Sequence, residues 1–347
     1  MVGLTLALAA GVALRLSVGP SRGTLDDAAW DAIMALRAQR AFLATTVGVA
    51  LGAAGVMLQY LLRNPLVSPD IMGPSSGASL GVMISIALWP AGVGFGSLAW
   101  QAGPALCGAM GAMAVITLLA RRRTGLDPGG VIITGVVVSI MCGAGVVFVQ
   151  HLMNATSLSG RTLALLVGAI GDDTPREHVV FVAALCVLVI GAGASMGRTL
   201  DAMSMSEDEA VSVGVALGRV RALTFLGAGV LTSGAVVLAG PVGFVGLIAP
   251  HVVRLLMGGG GAVGGRRSDH PLTRGRRSDL ITRRIGRAGT LLIGSGLCGG
   301  TLLVLGDAGV RAIDLGAGRM PIGVITALLG GPLLIALLAR SRSGLPA

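Results

Sequence analysis

Residues 240–256 read GPVGFVGLIAPHVVRLL, a stretch as apolar as a membrane-spanning helix yet repeatedly broken. The residues that break it or add polarity are Gly240, Pro241, Gly243, Gly246, Pro250 and His251. Gly-Pro pairs are typical of turns, and irregular backbone at membrane depth is tolerated only where it faces protein or a water-filled cavity. We therefore predict a broken helical hairpin that lines an internal pathway, with a hairpin of no further role as the alternative.

The rest of the chain has the same apolar character. Of its 347 residues, 53% are hydrophobic and 12% are charged, whereas soluble domains carry about 25% charged residues. The 57 glycines allow helix backbones to approach closely inside a bilayer, where no hydrophobic effect drives helices together. The composition predicts an all-α polytopic membrane protein with a single transmembrane domain over residues 1–347.

Apolar windows near the length of a bilayer crossing, about 20 residues, locate the spans. They predict about ten transmembrane helices, at 2–18, 38–62, 74–89, 99–120, 129–151, 179–197, 220–240, 243–257, 288–311 and 321–339. The third and the eighth are short for a full crossing. The last begins at Pro321 and is expected to be interrupted at 330–332, where Gly-Gly-Pro occurs.

The basic residues set the topology. All 26 are arginine, and because a Walker A loop needs a lysine at the nucleotide phosphates, the chain is not expected to bind ATP in that manner. Most arginines fall on one side of the membrane when the N-terminus is inside. The positive-inside rule therefore predicts a multi-pass protein of the cytoplasmic membrane with both termini in the cytoplasm. Lipid headgroups and topology explain the net charge of +10 better than nucleic acid does.

Metal chemistry is not indicated. The four cysteines and four histidines show no metal-ligand spacing, and the cysteines fall inside apolar blocks. No metal site and no bound cofactor are predicted for this chain.

Three further stretches carry patterns. Residues 59–81 (QYLLRNPLVSPDIMGPSSGASLG) place a proline-broken loop between the second and third spans. Residues 203–219 (MSMSEDEAVSVGVALGR) form an acidic amphipathic segment between the sixth and seventh spans. Residues 319–338 (RMPIGVITALLGGPLLIALL) carry the last span.

With 240–256, these stretches resemble, in order, four motifs of the FecCD/BtuC family, the permease subunits of bacterial ABC importers for iron-siderophores, haem and cobalamin. The resemblance covers about residues 30 to 340. It implies a type II ABC importer permease fold with ten membrane helices, paired as a homodimer around a central pathway. It also implies separate ATPase subunits that use ATP on one side, and a periplasmic or lipid-anchored substrate-binding protein on the other.

The resemblance implies a role for the cytoplasmic loop 198–219, which is similar to the coupling helices that sit in a cleft of the ATPase. The predicted ATPase-coupling residues are Ser206, Glu207, Asp208, Glu209, Ala210, Val213 and Gly214. The alternative is a solvated acidic linker.

On the outer face, Arg37 and Arg40 lie three residues apart and so share one side of a helix. They and Arg311 fall where the family has arginines that pair with glutamates of the binding protein, and Arg–carboxylate pairs suit such docking. Snorkelling to the membrane interface is the alternative. Asp307, an acid at membrane depth, is expected to pair with a nearby arginine.

The family motifs also imply a set of pathway and broken-helix residues. These are Asn64, Pro65, Pro69, Gly73, Gly240, Pro241, Gly243, Gly246, Pro250, His251, Pro321 and Gly323. The chain departs from the family at 258–287, where its cytoplasmic loop is longer and rich in Arg and Gly. This loop is expected to contact lipid headgroups or the ATPase, and the alternative is a disordered surface loop. The chain also has Gly-Arg-Met-Pro at 318–321 where the family has Glu-Leu-Pro, which puts a role for that acid in doubt.

The predicted function is import of a ferric siderophore, or a similar metal chelate, by alternating access. Haem and cobalamin are the alternative cargoes. An ion-driven secondary transporter also uses broken helices, but it needs intramembrane carboxylates, and only Asp307 approaches that description. A static scaffold or receptor is the remaining alternative, which the abundance of glycine within spans disfavours.

Overall fold

The structure is a computed structural model. It describes residues 1–18, 26–70, 72–88, 98–122, 125–126, 128–153, 165–171, 174–203, 216–257, 278–312 and 320–342. Within these residues the chain forms α-helices and one β-hairpin, whose two strands have two residues each. The elements are α1 (Val2–Ser17), α2 (Asp27–Leu62), α3 (Pro74–Leu88), α4 (Leu98–Leu119), β1 (Arg121–Arg122), β2 (Gly125–Leu126), α5 (Pro128–Leu152), α6 (Arg176–Ser195), α7 (Gly197–Met203), α8 (Leu217–Ala239), α9 (Val245–Leu256), α10 (Ser278–Ala312) and α11 (Ile322–Arg342).

Each predicted span coincides with a helix, so the all-α membrane architecture is confirmed. Within the described ranges, six helices are long and apolar enough to cross a membrane: α2, α4, α5, α6, α8 and α10. Shorter apolar helices occur in α1, α3, α9 and α11. The two spans predicted to be short, the third and the eighth, are among these.

Helix α2 is the axis of the bundle, and its ends name the two sides used below. The Arg40 side is the end of α2 that carries Arg40, and the Arg63 side is the end that carries Arg63. The helix begins 11 residues before the predicted span, because Asp26 accepts a hydrogen bond from the Ala28 N–H (2.6 Å) and caps the first turn. Its most extensive packing partners are α10 and α8.

Glycines bring α2 and α10 into backbone contact. A side chain added at Gly48 would overlap the backbone of Gly299, and one added at Gly52 would overlap the carbonyl of Ser295. Small residues four apart on a membrane helix permit this approach, which is stabilised by dispersion rather than by a hydrophobic driving force. The two helices therefore form one tightly packed pair.

Gly286 (φ 76°, ψ 174°) divides α10 into a helix at 278–285, within the predicted loop 258–287, and a spanning part that starts at Gly286, close to the predicted residue 288. One prediction was wrong. The expected interruption at 330–332 does not break α11, which continues through Pro332. In a membrane helix the carbonyl that proline leaves unpaired is re-satisfied by neighbours or by local adjustment.

Candidate functional site

The broken segment at 240–244 is confirmed. Helix α8 ends at Ala239, and Gly240 has φ 70° and ψ −173°, a conformation open to glycine but not to residues with a side chain. Phe244 then adopts a left-handed conformation (φ 65°) and starts α9. At 12 residues, α9 is about 18 Å long, well short of the roughly 30 Å hydrocarbon core.

An acid from the first motif caps this short helix. One carboxylate oxygen of Asp70 accepts a hydrogen bond from the Phe244 N–H (3.0 Å), and the other accepts from the Ser68 hydroxyl. The backbone carbonyl of Asp70 also accepts from Ser139 of α5 (3.4 Å). A carboxylate at a helix N-terminus satisfies otherwise unpaired N–H groups and complements the helix dipole. Asp70 therefore joins the loop after α2 to the start of α9.

Close backbone packing reinforces this junction. A Cβ on Gly246 would lie 2.6 Å from Cδ of Pro69 and 3.0 Å from the carbonyl oxygen of Leu51. A Cβ on Gly55 would overlap the Gly246 carbonyl. The first and third motifs and α2 thus meet without intervening side chains.

The fourth motif reaches the same place. A Cβ on Gly330 of α11 would lie 2.6 Å from Cδ1 of Phe244, so the phenylalanine side chain packs directly on this glycine. We call the contact of Pro69, Asp70, Phe244, Gly246 and Gly330 the junction. Three motifs that are far apart in the sequence converge there.

Gln59 extends the junction toward the Arg63 side. Its side chain is fully buried; Nε2 donates to the Val67 carbonyl (3.2 Å), and Oε1 accepts from Nη2 of Arg254. Gln59 therefore bridges α2, the loop and the far end of α9. His251 lies on α9 between the two ends, half-buried, and its Nδ1 has no hydrogen-bond partner among the described residues.

The remaining predicted pathway residues divide between two places. Asn64 stays in the loop of the first motif, where its side-chain oxygen accepts from the Leu66 N–H (3.0 Å). Gly73 (φ 84°) begins α3 against Ile116 and Val138. Pro65 lies in the same loop as Asn64, Pro241 and Gly243 lie in the break before α9, and Pro250 lies inside α9.

Pro321 and Gly323 lie elsewhere, at the start of α11. The Gly323 N–H donates to the Gly168 carbonyl (3.1 Å), and the Ala169 N–H donates to the carbonyl of Ala239 at the end of α8 (2.7 Å). The segment 165–171 therefore connects α8 with α11 on the Arg40 side, a contact that no sequence pattern indicated.

An ionic cluster occupies the Arg40 side. Asp307 accepts hydrogen bonds from Nε of Arg15 and from Nη2 of Arg40 (3.2 Å), which confirms the expected pairing of this acid with arginine. Arg40 also donates to the Ile170 carbonyl (3.1 Å). The participation of Arg15 was missed, since an arginine at the end of a first span is ordinarily an interfacial residue.

Two of the arginines predicted to dock a partner are more deeply buried than that role requires. Arg37 and Arg40 are 5% and 6% exposed; Arg37 donates to the Leu16 carbonyl (2.8 Å), and its guanidinium lies 5.5 Å from the centroid of the Trp30 ring. Both therefore lie beneath the surface of the chain, where a docked carboxylate does not reach them without rearrangement. Arg311 is half-buried and interacts electrostatically with this cluster. The docking role stays a prediction.

A second polar cluster lies on the Arg63 side, around Asp201 of α7. Its carboxylate accepts hydrogen bonds from the N–H groups of Arg287 (2.7 Å) and Ala288 (2.9 Å) and from the Tyr60 hydroxyl. Burial raises the pKa of Asp201 above its ordinary value, and the two N–H groups act in the opposite direction. Sequence reasoning missed Asp201, because it precedes the acidic stretch that drew attention.

Helix α7 covers the first residues of the predicted coupling loop 198–219. We call residues 204–215, which follow α7, the coupling stretch. Arg63 (φ 50°) ends α2 and donates from Nε to the carbonyl of Met203, the last residue of α7 (2.9 Å). The predicted coupling residues all lie outside the described residues: Ser206, Glu207, Asp208, Glu209, Ala210, Val213 and Gly214. The structure describes α7, the helix from which this stretch continues, and α7 bonds both α2 and α10.

Comparison with known proteins supplies the context for this arrangement. The model of the FecCD transport family matches residues 2–262 and 279–340. The Fe(3+) dicitrate transport system permease protein FecD of Escherichia coli is 32% identical, and the alignment covers 98% of both chains. The vitamin B12 import system permease protein BtuC of Serratia proteamaculans is 31% identical over 98% of this chain and 92% of that one.

Two further comparisons agree. The ferric enterobactin transport system permease protein FepG of Escherichia coli is 32% identical over 88% of this chain and 81% of that one. A solved structure in an inward-facing conformation, assigned to the metal-chelate type of ABC transporter, has a TM-score of 0.73 and 27% sequence identity. It covers 97% of each chain.

Proposed function

The chain belongs to the FecCD transport family and is a permease subunit of an ABC importer, and from this premise we propose that it carries a ferric siderophore, or a similar metal chelate, across the cytoplasmic membrane. The observation that supports this cargo is the similarity to FecD over 98% of both chains. The similarity to FepG and to a transporter assigned to the metal-chelate type points the same way. Cobalamin is the second candidate, favoured by the similarity to BtuC. Haem, which the family resemblance also allows, is the third.

Energy is supplied by another chain in this proposal. The absence of lysine leaves no residue for a Walker A loop, so ATP is hydrolysed by separate ATPase subunits that contact residues 203–217. A substrate-binding protein delivers the chelate on the Arg40 side, and a second copy of the permease completes the pathway. The termini and the Arg-rich residues 258–287 then lie in the cytoplasm.

The junction supports alternating access. Helix α9 is short, begins at a backbone break, packs its apolar side chains in the core and has a polar contact near each end, to Asp70 and to Gln59. Packed elements of this kind switch between discrete arrangements and do not deform continuously. We propose that α9 and the loop of the first motif line the pathway and move during transport, whereas the α2–α10 pair moves as a unit.

The ion-driven alternative loses its main support. Asp307 is 2% exposed and bonded to two arginines, so its charge is already compensated and does not need a coupling ion. Asp70 is engaged by the α9 N-terminus. Neither carboxylate offers an open cation site in the described part of the chain.

The test is uptake into proteoliposomes that contain the chain, its ATPase and its binding protein. Ferric dicitrate, ferric enterobactin, haem and cobalamin are offered separately, with ATP, without ATP and with an ion gradient alone. We expect ATP-dependent uptake of an iron chelate that requires the binding protein. ATP-dependent uptake of cobalamin or haem only would change the cargo, and uptake on an ion gradient without the ATPase would overturn the mechanism.

The coupling role is tested in the same vesicles with Glu207→Ala/Glu209→Ala. The matched control is Glu177→Ala, which removes an exposed acid from the first turn of α6 on the Arg40 side. We expect the double variant to lose uptake and stimulated ATP hydrolysis together, while the control keeps both. Equal behaviour of the two proteins would refute the coupling assignment.

A further inference from the structure

The contact between α7 and α10 is more specific than helix packing requires. Helix α10 restarts after Gly286, and the first N–H groups of a helix have no partner within the helix. Asp201 supplies both acceptors, with one oxygen for Arg287 and the other for Ala288. It therefore acts as an N-cap, but from a different helix.

The backbone conformation at Gly286 and its lack of a side chain allow Asp201 to approach the helix start. With φ 76° the residue lies in the region that favours glycine. A Cβ there would lie 2.5 Å from Oδ2 of Asp201 and 2.9 Å from the backbone nitrogen of Arg198. The residue also separates 278–285 from the remainder of α10, so a movement of the Arg-rich stretch need not bend the spanning part of the helix.

Helix α7 is fastened to α2 as well. Tyr60 donates its hydroxyl to Asp201, and Arg63 donates from Nε to the carbonyl of Met203 (2.9 Å). The next residues along the chain are the predicted coupling stretch. A force applied to that stretch is transmitted to α7, where the side chain of Asp201 bonds both α2 and α10.

We propose that Asp201 is a positioning residue that clamps α7, and with it the coupling stretch, to the α2–α10 pair, so that movement imposed by the ATPase reaches the membrane helices. This rests on the proposed function. Helix α10 carries the movement onward, because 21 residues from Arg287 to Asp307 span about 30 Å. At that far end Asp307 bonds Arg15 and Arg40. The clamp therefore links the ATPase side to the ionic cluster through one rigid helix.

The experiment compares Asp201→Ala with Asp201→Asn in the reconstituted full complex. Chelate transported per ATP hydrolysed is the readout, since a loss of folding alone lowers both quantities in proportion. For Asp201→Ala we expect this ratio to fall by about tenfold, the scale set by the loss of one helix cap, with ATPase assembly retained. Asn keeps one of the two acceptor oxygens and replaces the other with a donor, so Asp201→Asn is expected to give a ratio between those of Asp201→Ala and the unsubstituted protein.

A matched control and a second variant separate the clamp from general stability. Asp26→Ala removes the cap of α2 on the Arg40 side and is expected to leave the ratio unchanged. Gly286→Ala disturbs the same clamp from the α10 side and is expected to lower the amount of chelate transported per ATP hydrolysed. Because the two changes break one linkage, Asp201→Ala/Gly286→Ala should lower this ratio no further than the more severe single variant does.

Each outcome decides the proposal. A normal ratio in Asp201→Ala, a proportional loss of transport and hydrolysis, or an equal loss in Asp26→Ala overturns the clamp. The proposed function fails separately, and is recognised by an absence of ATP-dependent uptake in the unsubstituted protein, in which case the clamp falls with it.

Discussion

Replacing Asp307 with alanine is expected to destabilise the protein strongly. Asp307 is 2% exposed and Arg15 is 0% exposed. The Nε of Arg15 is bonded to Asp307, and its Nη1 and Nη2 have no hydrogen-bond partner among the described residues. The change would leave a buried guanidinium without its carboxylate, and removing one partner of a buried ion pair costs about 3–5 kcal/mol.

The chain carries its own reporter for this measurement. Cys186 and Cys298 are 3% and 5% exposed, so a thiol-reactive dye reports heat-induced unfolding in detergent. The background is Cys107→Ser/Cys142→Ser, because Cys107 is exposed and Cys142 is half-buried. One kcal/mol shifts Tm by about 2–4 °C in proteins of 150–250 residues. We expect Asp307→Ala to lower Tm by about 4–7 °C, because the unfolding entropy of this longer chain is about 0.7 kcal/mol/K.

Two comparisons decide whether the reasoning holds. Asp31→Ala removes an exposed acid from the same side of α2 and is expected to shift Tm by less than about 2 °C, as surface substitutions do. Arg15→Met/Asp307→Leu removes both charges and should recover most of the loss, because apolar replacement of a buried pair is often neutral. A shift in Asp307→Ala no larger than the Asp31→Ala shift, or a double variant as unstable as the single one, would refute the account.

Three predictions concern the junction, and each is measured by Tm and by ATP-dependent uptake. Asp70→Ala leaves the Phe244 N–H without its cap and should cost about 1–2 kcal/mol, whereas Asp70→Asn keeps an acceptor and should cost less; equal losses would contradict the capping role. Gly246→Ala forces a methyl group into a backbone contact and should cost about 1–3 kcal/mol; an unchanged Tm would show that the contact is looser than described. Gln59→Leu removes the acceptor of Arg254 inside the protein and should cost about 1–3 kcal/mol, and a Tm within 1 °C of the unsubstituted protein would argue that Arg254 finds another partner.

Sequence reasoning located what depends on local composition. The lengths of the apolar segments predict the spans, and the Gly-Pro pair predicts the break at 240–244. Both signals depend only on residues that are close together in the sequence. The pairing of Asp307 followed from the cost of an unpaired charge in a membrane. These features need no knowledge of which helices are neighbours.

The long-range contacts were not accessible in the same way. Asp70 and the Phe244 N–H are 174 residues apart in sequence, and nothing near Asp70 indicates that a helix start from another motif lies beside it. The burial of Arg37 and Arg40 depends on α1 and on the segment 165–171, which fold over them. Helix continuity at Pro332 is likewise decided by tertiary surroundings rather than by local propensity.

The distribution of contacts along α2 indicates which part of the protein can move. The α2–α10 pair is joined by backbone contact at Gly48 and Gly52 and by Asp307 and Arg40 at one end. At the other end Asp201 of α7 bridges the pair, because it bonds Tyr60 of α2 and the start of the spanning part of α10. Close-packed interfaces of this kind switch between discrete arrangements and do not deform continuously.

Helices α9 and α11 contact each other less extensively than α2 and α10 do. They meet where Phe244 packs on Gly330, whereas α9 is joined to α2 by backbone contact at Gly55 and Gly246. If α7 drives the α2–α10 pair as proposed, we expect the contact between Phe244 and Gly330 to change first. The arginine cluster is expected to move with α10, so that one displacement alters the junction and the Arg40 side together.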